Sequence, residues 1–307
     1  MKDQPQDKSL EKPAPRDFRE LGGLYSLFPP AIDVDSPDNR SLGLIDWASQ
    51  FGWMLKAYFR AEVRGLFRVP RGAALYVGNH NMGMLSADSG VFFYEAYKRL
   101  GIDALAWGLA HDAGMTIPGI GRLVAAVGGI RACHETAARV FARGGKIIVY
   151  PGGGLDAMRP FTRRNEIVFG GRTGYIRLAL TENVPIVPVV AAGAHSAYIV
   201  LSDGQGLAKA LGVAQKYRTD VWPLTLCLPW GVFLGPTPFF IPWPTRILME
   251  ALPPIRFDRT GPEAAADPEY VRACADQVET AMQDALTRLA ADRAAKSPLK
   301  RLLKKIF

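Results

Sequence analysis

Residues 73–90 read AALYVGNHNMGMLSADSG. An apolar run, Ala73–Gly78, ends in Asn79, His80, Asn81 and Gly83, and Asp88 follows eight residues after His80. A nearly all-apolar strand is a strand covered on both faces, and sheets built from such strands carry their sites at the strands' carboxyl ends. Outward from this segment the same rhythm repeats. Ala104–Leu109, Leu123–Val127, Lys146–Tyr150 and Ile186–Ala191 are further expected strands, and Ser86–Leu100, His134–Arg143 and Thr173–Glu182 are expected helices between some of them. This alternation predicts an α/β fold with a mainly parallel central sheet flanked by helices, completed by amphipathic helices at the N- and C-terminal ends.

The expected organisation is a disordered or loosely attached arm over 1–33, an N-terminal amphipathic helix within 34–70, a catalytic domain over 71–260, and a C-terminal helix with a basic amphipathic tail over 261–307. Phe51, Met54, Leu55, Tyr58, Phe59, Val63 and Leu66 recur at three- and four-residue spacing, predicting one helix from Ser41 to Leu66. It packs on the core or lies in a membrane interface. Residues 221–245 hold no charged residue but six prolines, which excludes a continuous spanning helix. They form either a buried irregular segment or an exposed apolar lip for lipid. A helix is predicted from Pro268 to Ala295. In the closing SPLKRLLKKIF, Leu299, Leu302, Leu303, Ile306 and Phe307 fall on one face, and Lys300, Arg301, Lys304 and Lys305 on the other. Four cations beside an anionic surface contribute about 1 kcal/mol each, so a peripheral anchor on an anionic membrane is expected.

Charge and cysteine usage agree with that placement. The 307 residues carry a net charge of +8, which favours an anionic partner. The three cysteines are widely spaced and include no CxxC, so neither a disulfide framework nor a zinc cluster is expected. The polar, proline-rich opening residues lack the apolar core of a signal peptide. A cytoplasmic protein, peripheral on the cytoplasmic face of a membrane, is the expectation. Basic residues that alternate with leucines rather than with stacking aromatics argue against nucleic acid.

Four segments carry candidate chemistry. An imidazole at a strand end takes a proton from an alcohol when a carboxylate fixes its tautomer, which makes His80 a candidate base and Asp88 its partner. In AAVGGIRA, Arg131 is placed to hold a phosphate through paired hydrogen bonds. In YPGGGLDAMRPFTRRNE, from Tyr150 and Pro151 through Gly152, Gly153 and Gly154 to Asp156, Arg159 and Glu166, glycine amides offer a cradle for an oxyanion or phosphate. No GK[ST] follows, and neither GxGxxG nor GxSxG occurs, so nucleotide-loop and serine-hydrolase chemistry lack support. The fourth segment, NVPIVPVVAAGAH, reads only as a buried strand ending at His195.

In this order the four segments resemble the glycerolipid acyltransferase superfamily that includes the lysophosphatidic acid acyltransferases, over roughly residues 51–255. The nearer likeness is to its diacylglycerol and phytyl ester acyltransferase branch. The resemblance implies that His80 deprotonates an acceptor hydroxyl, which attacks a thioester carbonyl with no covalent acyl-enzyme. The donor is acyl-coenzyme A or acyl carrier protein, the acceptor a lysophospholipid or related glycerolipid, and no cofactor or metal is implied. Family members separate the histidine and aspartate by four residues; here seven intervene, which puts Asp88 in question as the partner. Asn79, Arg131, Tyr150 to Gly154, Asp156, Arg159 and Glu166 fall on substrate-binding positions. Gly152 replaces the glutamate of the common F-P-E-G-T block, and this Y-P-G-G form is how the neutral-acceptor branch looks. Arg131, Arg159, Arg163 and Arg164 tip the expectation toward a phosphorylated acceptor. The alternatives are a neutral acceptor, diacylglycerol or a long-chain alcohol, and a catalytically silent lipid-binding protein of the same fold.

Overall fold

The computed structural model describes residues 36–83, 86–110, 120–212, 220–237 and 239–296. The expected arm over 1–33 and the basic tail after Ser297 lie outside them. The chain begins with α1 (Leu42–Ser49) and α2 (Gly52–Tyr58), then β1 (Glu62–Arg64) and a 3-10 turn at Leu66–Arg68. The single helix expected over Ser41–Leu66 is therefore broken, and so is a helical unit spanning 34–70. Ser41 caps α1 by accepting from the Leu44 amide, and Gly52 opens α2 where any Cβ would lie 2.3 Å from the Tyr94 ring. Arg60, at φ 45°, then turns the chain so that Glu62–Arg64 pairs with Leu248–Glu250. That partner lies far along the chain, so local periodicity gives no sign of it.

The alternating core follows: β2 (Ala74–Gly78), α3 (Ala87–Leu100), β3 (Ala106–Ala110), α4 (Ile120–Ala126), β4 (Gly129–Arg131), α5 (His134–Ala142) and β5 (Lys146–Val149). After it come α6 (Gly153–Ala157), α7 (Gly174–Thr181), β6 (Ile186–Ala192), β7 (Ile199–Ser202), α8 (Gln205–Ala210), β8 (Leu224–Cys227), β9 (Gly231–Leu234), β10 (Leu248–Ala251), α9 (Pro262–Ala266) and α10 (Pro268–Ala295). The expected strand at Leu123–Val127 is helix α4, and the strand is Gly129–Arg131. A five-residue apolar run has no periodicity to tell one state from the other. Gly128, at φ 99°, ends the helical segment.

Seven strands form the main sheet in the order β1-β10-β6-β2-β5-β3-β4. The five from β6 to β4 are parallel, β10 runs antiparallel to β6, and β1 is parallel to β10. The expected mainly parallel α/β sheet is what the chain forms. Every residue of β2 and β6 is buried. Tyr76, Ile148, Val187 and Met249 pack on one face with α3; Leu75, Val77, Ile147 and Val190 pack on the other with α5, α7 and α10. Asp267 caps α10 by accepting from the Tyr270 amide, and Pro268 supplies the first turn. Residues 221–245 are not wholly irregular: β8 and β9 form a hairpin that joins β7 in a separate antiparallel sheet. No described helix is long and apolar enough to cross a membrane.

Candidate active site

Strand β2 delivers Asn79 and His80 to the carboxyl edge of the parallel sheet, and the loop that follows is fastened from three directions. The Asn79 side chain brackets β6, donating to the Ala191 carbonyl at 3.0 Å and accepting from the Ala191 amide at 2.8 Å. Asn81 donates to the Asn79 carbonyl at 3.0 Å and to Asp88 Oδ2 at 2.8 Å. The third clamp comes from the segment after β5. Asp156 Oδ2 accepts from the His80 amide at 2.5 Å, and Arg159 Nη1 donates to the His80 carbonyl at 2.8 Å. The two side chains are themselves paired, Nη1 to Oδ1 at 2.9 Å, and Arg159 Nη2 reaches Asn81 Oδ1 at 2.8 Å. His195 Nε2, buried, donates to the Arg159 carbonyl at 2.7 Å.

Asp156 and Arg159 are 0% and 1% exposed, and Asn79 is 2% exposed. Of these three, all expected to bind substrate, Asp156 and Arg159 hold the His80 backbone and Asn79 holds that of Ala191. Burial lifts the Asp156 carboxyl to about 6, with Arg159 pulling against that rise, so the pair is ionised at neutral pH. A buried charge persists only when paired and hydrogen-bonded, and the bonds above meet that requirement for Asp156.

The His80 side chain, by contrast, is partly exposed. Its ring lies 4.8 Å from the Tyr150 ring, centroid to centroid. Gly78 makes room for that neighbour, since a Cβ there would sit 2.6 Å from Tyr150 Cε1. Tyr150 Oη in turn shares a short hydrogen bond with Ser89 Oγ. The group at hydrogen-bonding distance from His80 Nδ1 is Ser86 Oγ, at 3.3 Å. Asp88, in the first turn of α3, gives Oδ2 to Asn81, and its Oδ1 has no hydrogen-bond partner among the described residues. The expected direct His80–Asp88 pairing is thus replaced by a His80–Ser86 contact, with Asp88 acting one residue removed, through Asn81. The seven-residue separation puts the aspartate in the first turn of α3.

Desolvation sets the protonation states. Burial by the surrounding protein pushes the His80 imidazole down to about 4 from 6.5, and the charge on Arg159 adds to this. Burial raises the Asp88 carboxyl to about 6, against the Asn81 hydrogen bond. At neutral pH the imidazole is uncharged. In the tautomer whose Nδ1 donates to Ser86 Oγ, Nε2 carries the free lone pair a general base requires.

The remaining expected residues separate into two groups. Tyr150, Pro151 and Gly152–Gly154 form the turn into α6 beside His80, with the Gly153 amide donating to the Tyr150 carbonyl at 3.0 Å. Arg131 is exposed at the end of β4, three strand positions from β2, which is roughly 14 Å at the usual strand spacing. Glu166 pairs with Arg163 on the surface at 2.7 Å. Of the four arginines singled out in sequence, Arg159 is buried, Arg131 stands apart at the sheet edge, Arg163 is in a surface ion pair, and Arg164, half-buried, donates to the Phe161 carbonyl at 3.0 Å. Sequence reading missed Ser86 and Ser89 and placed Asn81 at the strand end without a role; their signal was proximity to His80.

Beside the site, between α1, α2, α3 and strands β3 and β4, lies a cavity of about 680 Å³ with an almost wholly apolar lining. Its wall includes Leu55, Phe93, Leu105, Leu109 and Ile148, and α3 reaches it one residue beyond Ser89, at Gly90. Ile148 also borders the small space around Asp88, Ser89 and Tyr150.

Residues 60–192 match the family model described as Acyltransferase. An uncharacterised protein of Mycobacterium tuberculosis is 30% identical over 242 residues, which cover 78% of this chain and 64% of that protein. The chain thus spans less than two thirds of the length of this relative. A mouse protein named as a DGAT1/2-independent enzyme synthesizing storage lipids is 26% identical over 193 residues, 62% of this chain and 55% of its own. Among solved structures, the 1-acyl-sn-glycerophosphate (LPA) acyltransferase PlsC of Thermotoga maritima superposes with a TM-score of 0.50 at 16% identity, covering 81% of both chains. The fold, the order of the motifs and the match of residues 60–192 to the Acyltransferase model together support the glycerolipid acyltransferase superfamily.

Proposed function

We propose that the chain transfers a fatty acyl group from a thioester donor, acyl-coenzyme A or acyl carrier protein, to a hydroxyl of a glycerolipid acceptor, with His80 as general base. The observation that carries this reading is a neutral, partly exposed imidazole, fixed through its own peptide groups by Asp156 and Arg159, next to an apolar cavity of about 680 Å³. The cavity suits an acyl chain and little else. His80 Nε2 takes the acceptor's proton as its oxygen attacks the thioester carbonyl. The carbon–sulfur bond breaks, and the thiolate leaves with that proton. Ser86 keeps Nδ1 protonated, and Asp88 fixes the loop through Asn81.

The same reading places the enzyme at the cytoplasmic face of a membrane, where both acceptor and product reside. Trp47, Trp53 and Met54 of α1 and α2, each at least half exposed, support this placement. A lysophospholipid is one acceptor class. The dispersal of the arginines favours a second, a neutral acceptor such as diacylglycerol or a long-chain alcohol.

The test is His80→Ala with labelled acyl-coenzyme A and a panel of acceptor lipids. Transfer is expected to fall by roughly 10²–10⁴-fold, with the circular dichroism spectrum unchanged. Turnover near that of the wild type would sink the mechanism, and lipid binding without thioester consumption in the wild type would leave a silent lipid-binding protein.

A further inference from the structure

The small sheet of β7, β8 and β9 has its polar alternation reversed. An antiparallel sheet with one face on the core ordinarily turns polar side chains outward. In β8, Leu224-Thr225-Leu226-Cys227, Thr225 and Cys227 are buried at 0% and 1% exposure, whereas Leu224 and Leu226 are only partly buried. The Thr225 hydroxyl is satisfied on the inside, by the Phe233 carbonyl at 3.3 Å and Thr237 Oγ1 at 3.4 Å. The register carries the reversal across the sheet: Leu226 stands opposite Ile199 and Val232, and Leu224 opposite Leu234. Val232 and Leu234 are more than half exposed. The outer face is aliphatic from strand to strand but for the exposed Ser202, which stands opposite Leu224 past a bulge in β7. At the hairpin end and just beyond β9, Trp230 and Phe239 are also exposed, with Trp230 Nε1 bonded to the Phe239 carbonyl.

The segment that follows β9 meets the C-terminal end of α2. Tyr58 Oη donates to the Pro242 carbonyl at 2.6 Å, and Arg60 Nη2 to the Pro244 carbonyl at 3.1 Å. We propose that the outer face of the β7–β9 sheet inserts into the margin of a lipid bilayer, as a docking element additional to α1 and α2. A protein partner would be held in register by polar anchors among the apolar contacts, and among the described residues the rows of this face offer a single one, Ser202 at the end of β7. A net charge of +8 opposes pairing with a second copy and favours an anionic lipid surface. Trp and Tyr side chains concentrate at membrane interfaces, where Trp230 and Tyr58 would then lie. The inference rests on the lipid-substrate reading for its purpose but not for its readout.

The test floats the full chain with vesicles of phosphatidylcholine and phosphatidylglycerol. It compares wild type with Val232→Glu/Leu234→Glu and with the milder Val232→Ser/Leu234→Ser, all checked by circular dichroism. The glutamate pair is expected to lower the vesicle-bound fraction about tenfold and the serine pair by less. Turnover of a short-chain, water-soluble thioester with a monomeric acceptor should be unchanged. Undiminished vesicle binding in both variants overturns the proposal. So does a wild-type dimer that both variants convert to monomer with vesicle binding intact, because the face would then belong to a second copy. Loss of vesicle binding in the variants, with no acyl transfer by any form, would keep the docking surface and sink the enzymatic reading alone.

Discussion

Asp156 holds the backbone amide of His80 across 76 residues of sequence, Oδ2 to nitrogen at 2.5 Å, while its other oxygen is paired with Arg159. The proposed general base is thus positioned by its own main chain from a buried ion pair, and its side chain is left for the proposed chemistry. Removing one partner of such a pair strands the other charge in the interior, which costs roughly 3–5 kcal/mol. Asp156→Ala is expected to lose stability of that order in a denaturant titration and to lose turnover in proportion to the loosened loop. Asp156→Asn should fare little better, because its amide would set a donor against the His80 amide or the Arg159 guanidinium. Stability within about 0.5 kcal/mol of wild type, the range of ordinary surface changes, would show that the pair does not hold the loop.

Ser86 and Asp88 should separate in their kinetics. Ser86 Oγ faces His80 Nδ1 directly, so Ser86→Ala is expected to reduce kcat by about tenfold, a factor worth about 1.4 kcal/mol and comparable to one hydrogen bond, with KM little changed. Ser86→Thr, which keeps the hydroxyl, should recover part of that loss. In Asp88→Asn the side-chain oxygen still accepts from Asn81, so activity should stay within a few-fold of wild type. A larger loss in Asp88→Asn than in Ser86→Ala would restore the aspartate as the direct partner.

The pH profile follows from the desolvated ring. Only the neutral imidazole accepts a proton, so activity is present above the His80 pKa and lost as pH falls through it. Because burial depresses that pKa to about 4, kcat/KM should pass through 6.5 without a break. It should decline around 6, where Asp88 and Asp156 are half-protonated, and further toward 4 as His80 itself charges. An acid limb centred at 6.5 or above, followed by initial rates across the range, would mean that water reaches the whole ring.

The parts of this arrangement that were legible in sequence are those with a local cause. Strands β2, β5 and β6 announce themselves as unbroken apolar runs, and α10 begins at Pro268 because Asp267 caps it. The break between α1, α2 and β1 was not legible, because its cause is pairing with Leu248–Glu250 far along the chain. Asp156 and Arg159 were visible as charged residues after a glycine turn, but a carboxylate that meets substrate and one that meets a backbone amide have the same letter. The reversed alternation of β8 was equally open to two readings. Leu-Thr-Leu-Cys fits either face inward until the register with β7 and β9 decides it.

The apolar cavity between α1, α2, α3 and β3 gives the last prediction, since glycines form part of its wall. A Cβ on Gly108 would find its nearest neighbour, Ile148 Cγ2, at 4.0 Å, and one on Gly90 would meet Leu55 Cδ1 at 3.5 Å, both ordinary contacts. Larger side chains at these positions grow into the cavity rather than into packed backbone. Gly108→Leu and Gly90→Leu are therefore expected to shorten the acyl chain the site accepts. Each excluded methylene forfeits about 0.8 kcal/mol of burial, so losing two lowers kcat/KM for long-chain thioesters by about tenfold and leaves the shortest ones unaffected. Measuring kcat/KM over a series of chain lengths reads this out directly. Gly52 supplies the control, because its Cβ would lie 2.3 Å from the Tyr94 ring. Gly52→Ala should displace α2 and depress all chain lengths together. A uniform loss in Gly108→Leu and Gly90→Leu as well would mean that the cavity does not hold the acyl chain.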